Sequence, residues 1–269
     1  MTTSTRHDGR KHHELRPITI FYDGLARVDG SARFGFGEST AALASVSGPI
    51  EVRLASELPS KATFEVLVRP LANVPATESK LLASMIKATL EPSLILTKNP
   101  RTLVQLVVQA LSSPSNATWK DTHIAAMANA STLAFLQACS VPMQGVVTAV
   151  AIGRLVDGSL IVDPSEDEMS SLQAGGCFVF MFSGSSTGSS VSNIDCVWSS
   201  WKSTSGRYSQ EELFKAKELA KVGAQAVYEE VRRSLEKRSG ATAIPMLVVQ
   251  EKEAVKEEGT LSSDEKMEI

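Results

Sequence analysis

Residues 24–70 read GLARVDGSARFGFGESTAALASVSGPIEVRLASELPSKATFEVLVRP, a set of β-branched and apolar runs cut apart by turn chemistry. Asp29-Gly30, Gly48-Pro49 and Leu58-Pro59-Ser60 are the breaks, because glycine and proline there favour turns over continued strand. Between them, residues 40–47, 50–54 and 63–68 suit a pleated, half-buried surface. Glu51, Arg53 and Glu65 interrupt the apolar positions in alternation, so one face is wet and the other buried. A chain with this much short-strand pattern near its start must build its core around a sheet. The simplest such sheet is an antiparallel meander.

The remainder alternates in period. A short strand at 17–22 precedes the meander. From Thr77, Leu81, Leu82, Met85, Ile86, Thr89 and Leu90 recur at helical spacing, with Thr77 as a cap and Pro92 as the stop. Residues 103–111 form a near-continuous apolar strand, expected to be buried on both faces. After a polar loop at 112–122, a second helix carries Ile124, Met127, Ala128, Ser131, Phe135 and Ala138. Its small residues allow close packing. Strands are expected at 146–152, 160–162, 177–182 and 194–197, and the Gly/Ser-rich 184–192 as a flexible hairpin connection. Ser209-Gln-Glu-Glu212 is a capping box that opens the longest helix. That helix is striped by Leu213, Ala216, Ala220, Gly223, Val227, Val231 and Leu235. Its cationic end, Arg232, Arg233, Lys237 and Arg238, complements the helix dipole.

The order predicts an α+β fold: one domain over 17–240 with largely antiparallel sheets and packed helices. A polar, solvated arm precedes it at 1–16, and a mostly disordered acidic tail follows at 241–269. Of 269 residues 21% are charged and the formal net charge is −3, so no general basic field exists and nucleic-acid binding requires a local patch. Cys139, Cys177 and Cys196 lack CxxC spacing and read as reduced core residues. His7, His12 and His13 lack the companion ligands of a metal site, and neither metal nor cofactor is expected. No apolar run reaches the roughly 18 residues of a membrane span, and the polar start has no leader character.

Several motifs, taken in order over residues 6–238, resemble the RNase PH family. They are Arg6-His7-Asp8-Gly9-Arg10 with Arg16-Pro17, then Gly30-Ser31-Ala32 with Gly37, Ser39-Thr40 and Gly48-Pro49. Asn99-Pro100-Arg101-Thr102, Asn129-Ala-Ser-Thr-Leu133, Val141-Pro142-Met143 and Leu160-Ile-Val-Asp163-Pro164 continue the pattern. The resemblance implies a core like that of ribosomal protein S five and a six-membered ring of related subunits around a channel for single-stranded RNA. It further implies an exosome subunit that scaffolds 3′→5′ RNA processing and decay, including that of ribosomal RNA. Its implied companions are cap subunits and a hydrolytic RNase, in nucleus, nucleolus and cytoplasm, with no membrane.

Active relatives cleave RNA 3′ ends with phosphate, held by a Gly-Thr-Arg type turn at the start of the second helix. Here the matching positions are Asp121, Thr122, His123 and Ile124. An acid and an imidazole stand where a glycine and a guanidinium are expected, so the phosphate site reads as degenerate. Counted from Asp163, the general acid falls on Met169 and a later acid on Gly175, although a one-residue slip would select Glu168. Glu166, Asp167 and Glu168 read as a solvated acidic turn. No catalytic residue is assigned. Arg69, Lys80, Lys87 and Arg101 are the candidate RNA contacts. The leading reading is a non-catalytic ring subunit. The alternatives are an active phosphate-dependent exoribonuclease, possible through a composite site with a partner, and a small-molecule enzyme of the same fold. The missing glycine-rich phosphate loop speaks against the last.

Overall fold

The computed structural model describes residues 6–242 apart from 7, 72–73, 75, 113–119, 185–190 and 205. The expectations for His7, most of the 112–122 loop, the Gly/Ser-rich connection and the tail beyond 242 therefore lie outside the described residues. Two sheets flank a central helix. The first has the order β1-β2-β3-β5-β4, built from β1 (Ile18–Phe21), β2 (Gly30–Phe36), β3 (Thr40–Glu51), β4 (Thr63–Arg69) and β5 (Thr102–Ala110). The second has β6 (Val146–Leu155), β7 (Leu160–Val162), β8 (Leu172–Gly184) and β10 (Lys202–Ser203) in the order β10-β8-β6-β7, with β9 (Val191–Ser199) also on β8.

The meander is corrected in two places. β5 inserts between β3 and β4 and pairs with β4 in parallel, because α1 (Thr77–Leu90) supplies the crossover that a parallel pair requires. Gly48-Pro49 does not end a strand. β3 continues through it to Glu51, with a register shift against β5 between Ser47 and Ile50. Gly48 sits at φ 139°, and a Cβ there would run into the Leu103 carbonyl, so the bulge needs glycine. β5 is also not buried on both faces. Val104, Leu106, Val108 and Ala110 are fully inside, while Gln105, Val107 and Gln109 on the other face are half-buried.

The core converges on α2 (Asp121–Ala138), where 14 of 18 residues are buried. Alanines at 125, 126, 128, 130 and 134 keep the helix slim enough for both sheets to approach. At Gly30 of β2 a Cβ would collide with the Ala134 carbonyl and Ala138, so this close approach depends on the missing side chain. On the other side, the Asn129 side chain accepts from the Ala149 N–H at 2.8 Å and donates to its carbonyl at 3.0 Å, taking the place of a strand neighbour on β6. α3 (Gln210–Thr242) begins as the capping box predicts, with Ser209 Oγ accepting from the Glu212 amide at 3.0 Å. Ala216, Ala220, Ala224, Val227 and Val231 form its buried stripe. Its cationic end is exposed but partnered. Arg232 pairs with Glu236, and the Arg238 guanidinium lies 4.9 Å from the Tyr22 ring centre. Of the three cysteines, Cys177 is buried and Cys196 half-buried. Cys139 is exposed rather than core, because it occupies the left-handed cap that ends α2 at φ 53°.

Candidate phosphate and RNA site

The start of α2 points its unpaired amides and the positive end of its dipole toward the expected phosphate position, a setting that favours an anion. The chain supplies one itself. Asp121, the first residue of α2, is buried, and its carboxylate lies 3.0 Å from Lys202 Nζ of β10. Lys202 stands across from Gly175 in the β8–β10 pair, so a lysine from the neighbouring strand takes part where an acid is expected on β8. No sequence motif singled out Lys202, since its role depends on a two-residue strand. Thr122 is buried behind Asp121. His123 is buried too, with Nε2 3.2 Å from Ser112 Oγ. Burial, then the nearby charges of Arg16 and Lys120, lower its pKa to about 4. It is neutral at pH 7 and offers no cation to a phosphate. Ile124 is half-buried and lines an apolar pocket of about 220 Å³ with Leu71, Leu82 and Met127, rimmed by the Glu78–Lys120 ion pair.

The acidic turn at 167–171 is not solvated in the way the sequence suggests. Glu168 is 5% exposed and Met169 2%, while Asp167 is exposed. The partner of Glu168 comes from the N-terminal arm. Arg6 donates through Nε at 2.8 Å and Nη2 at 2.5 Å to the two carboxylate oxygens, and the Ser165 amide adds a bond at 2.9 Å. Burial pushes the Glu168 pKa up, but the Arg6 and Ser165 hydrogen bonds outweigh it and the net shift is downward. The solvated arm is corrected in part: among its described residues Asp8, Gly9, Lys11 and His13 are exposed, but Arg6 and Arg16 are buried, and Arg16 grips Asp163 through Nε at 2.8 Å and Nη2 at 2.6 Å. Polarity misled the sequence reading here, because these arginines are polar but fully partnered.

Three of the four candidate RNA contacts share one surface. Lys80 and Lys87, two turns apart on α1, line a groove of about 740 Å³ with Glu51, Arg53, Glu65 and Gln105. Arg69, at the end of β4, joins Lys80 in the adjoining depression. Arg101 lies apart from them, in a left-handed turn at φ 60° before β5, paired with Glu57 at 3.4 Å. Arg53 was missed, because nothing in the sequence shows that its loop folds back beside α1. None of Arg53, Arg69, Lys80 and Lys87 has an ion-pair partner among the described residues. Among those residues no cluster of three His, Cys, Asp or Glu forms a metal site, and no helix is long and apolar enough to cross a membrane.

The family described as 3′ exoribonuclease family, domain 1, RNase PH, matches residues 14–140. The exosome complex component Rrp41 of Archaeoglobus fulgidus is 31% identical over 244 residues, covering 87% of this chain and 87% of that protein. The chain belongs to the RNase PH family. The exosome complex exonuclease RRP46 homolog of Oryza sativa subsp. japonica is 28% identical over 239 residues, covering 87% of this chain and 97% of the relative. The crystal structure of rice Rrp46 superposes with a TM-score of 0.72 at 26% identity, covering 86% of this chain and all of that one. The single RNase PH domain and its α+β class, as read from the sequence, are the ones observed.

Proposed function

We propose that this chain is a non-catalytic ring subunit of an RNA exosome, pairing with other RNase PH-like subunits around single-stranded RNA while hydrolysis is done by another chain. The observation that carries this reading is the occupied start of α2. Phosphorolysis needs an inorganic phosphate held where charge develops. By the family pattern Asp121 falls at that position, paired with Lys202, and neutral His123 falls where a two-pronged cation is needed. A second anion would meet electrostatic repulsion rather than a clamp.

The ring reading is supported by likeness to the Rrp46 and Rrp41 proteins over most of the chain. RNA contact is assigned to the groove holding Arg53, Lys80 and Lys87, with Arg69 at its end; Arg101 is left out because it is already engaged with Glu57. Cap subunits and a hydrolytic RNase complete the assembly, in nucleus, nucleolus and cytoplasm. The test is phosphorolysis of a poly-A substrate by the purified chain and by the reconstituted ring. No nucleoside diphosphate should be released by the chain. Release that depends on added phosphate would overturn the inactive reading, and failure to retain RNase PH-like partners on copurification would overturn ring membership.

A further inference from the structure

The groove assigned to RNA does not stop at Arg69. It shares Val66, Lys80 and Ala83 with the adjoining depression. That depression in turn shares Val68 and Ser79 with the apolar pocket of about 220 Å³ between α1, α2 and the end of β4. The three form one track, cationic along its length and apolar at its far end. Val68, Ala110, His123 and Met127 are buried in the pocket walls, and Leu82 and Ile124 are half-buried. Neutral His123 adds no charge, and Glu78 and Lys120 offset each other at the rim. Neither Asp121 nor Lys202 lines the pocket, so it is separate from the degenerate phosphate turn. Ser79 is the polar group left over. It is 7% exposed, lines both the depression and the pocket, and its hydroxyl has no hydrogen-bond partner among the described residues. A buried hydroxyl in that state costs free energy that a ligand atom can recover. Ser112 differs, because its Oγ already accepts from the Ala41 amide at 2.9 Å and meets His123 Nε2 at 3.2 Å.

We propose that this pocket takes one unstacked nucleobase of the RNA strand lying in the groove, with the Ser79 hydroxyl bonding the edge of the base. The inference rests on the RNA reading of the groove. Size limits the occupant. Pockets for drug-sized molecules run to roughly 300–1,000 Å³. At about 220 Å³ this one holds a single ring system and not a whole nucleotide. Charge limits it further. A phosphate would find no net positive charge inside, whereas a neutral base loses little on entering an apolar slot. The sugar and phosphate stay outside, beside Arg69 and Lys80 of the depression. The walls are aliphatic except for His123, and the Met127 thioether suits an aromatic face. A hydroxyl both donates and accepts, so Ser79 serves any base and the pocket does not select sequence.

An oligoadenylate carrying 2-aminopurine, mixed with the full chain alone and in the reconstituted ring, tests this. Emission of 2-aminopurine rises when the base leaves its stacked neighbours, and it should rise severalfold on binding. A strand of the same length without bases should bind roughly 5- to 100-fold more weakly, the equivalent of about 1–3 kcal/mol for a held base. Ser79→Leu, which fills the mouth of the pocket, should abolish the rise and bind the oligoadenylate as weakly as the parent binds the base-free strand. Its salt slope should match the parent's, because no phosphate contact is lost. Ser79→Ala, which keeps the space, should fall in between. The base-free comparison needs no variant, so it decides the matter even if Ser79→Leu does not fold. No binding of either strand would overturn the groove reading and the pocket with it. Equal binding of the two strands, or an emission rise that persists in folded Ser79→Leu protein, would overturn the pocket and leave the groove standing. Displacement of the strand by adenosine alone would make this a free-nucleoside site and overturn the proposal as well.

Discussion

Along the groove between β4 and α1, Arg53, Arg69, Lys80 and Lys87 stand without ion-pair partners among the described residues, whereas the buried Arg6 and Arg16 of the N-terminal arm, and the part-exposed Lys202 at the start of α2, each end on a carboxylate of the same chain. The two regions share one domain and handle charge in opposite ways. An unpaired surface cation adds little to folding and remains free to neutralise a phosphate from outside. A buried pair contributes little net stability over an apolar substitute, but it is costly to break and leaves nothing for an external ligand. On the proposed function, the contrast would put recognition in the open groove and leave the start of α2 and the acidic turn closed by the chain's own charges.

The sharpest way to break the contrast is Asp163→Ala. It strips Arg16 of its carboxylate and should cost roughly 3–5 kcal/mol in urea unfolding. A loss below about 1 kcal/mol would mean that Arg16, which joins Asp163 to Ser39 and Thr40, does not bind the two sheets together. Next comes acid. The His123 pKa is about 4 in the folded protein against an ordinary 6.5, so the unfolded chain takes up a proton first. Stability is therefore full above pH 6.5 and falls as pH drops toward 4, by up to ~1.4 kcal/mol per pH unit. His123→Gln should flatten that slope, and an unchanged slope would show that His123 is not buried neutral. Glu168 acts further down. Its pKa is depressed, so its contribution is present above the ordinary carboxylate range and lost as pH falls through the folded value.

Lys202→Met should cost about 1–3 kcal/mol, because it leaves Asp121 buried without its cation. A double variant with Asp121→Asn should recover part of that loss, and no recovery would deny the pairing. The smallest effect on folding belongs to the groove. Arg53→Gln, Lys80→Gln and Lys87→Gln together should shift unfolding by no more than ~0.5 kcal/mol. In the reconstituted ring the same triple should lower the salt dependence of single-stranded RNA binding by about 0.7 in log–log slope per lost phosphate contact. An unaltered slope would remove this groove from the RNA path.

Local signals in the sequence carried much of this. The capping box at Ser209, the period change at Thr77 and the small residues of α2 each mark an element whose cause is local, and each element is found near where the residues place it, although Thr77 opens α1 rather than capping it and α2 starts at Asp121, inside the expected loop. Pairing between distant segments was not legible. The insertion of β5 between β3 and β4 depends on which strand edge is free after α1 crosses, and residue pattern does not encode that. The reading of a degenerate phosphate turn at Asp121 and His123 rests on residue types, an acid and an imidazole where a two-pronged cation is expected, and those are visible in the sequence. The pairing of Asp121 with Lys202 is not visible there, since the two positions lie 81 residues apart and meet only through β10. Arg6 and Glu168 misled for a related reason. Side-chain polarity predicts water as the partner unless the opposite charge is seen, and theirs lies 162 residues away.

Because α2 has sheet on both sides and almost no wet face, it acts as a party wall between two rooms. Adding a single carbon at Gly30 on one side, or exchanging Asn129 on the other, is felt through the wall by strands that never touch each other. The halves of this domain are therefore not free to diverge separately: a change in girth on one side has to be answered by the opposite sheet.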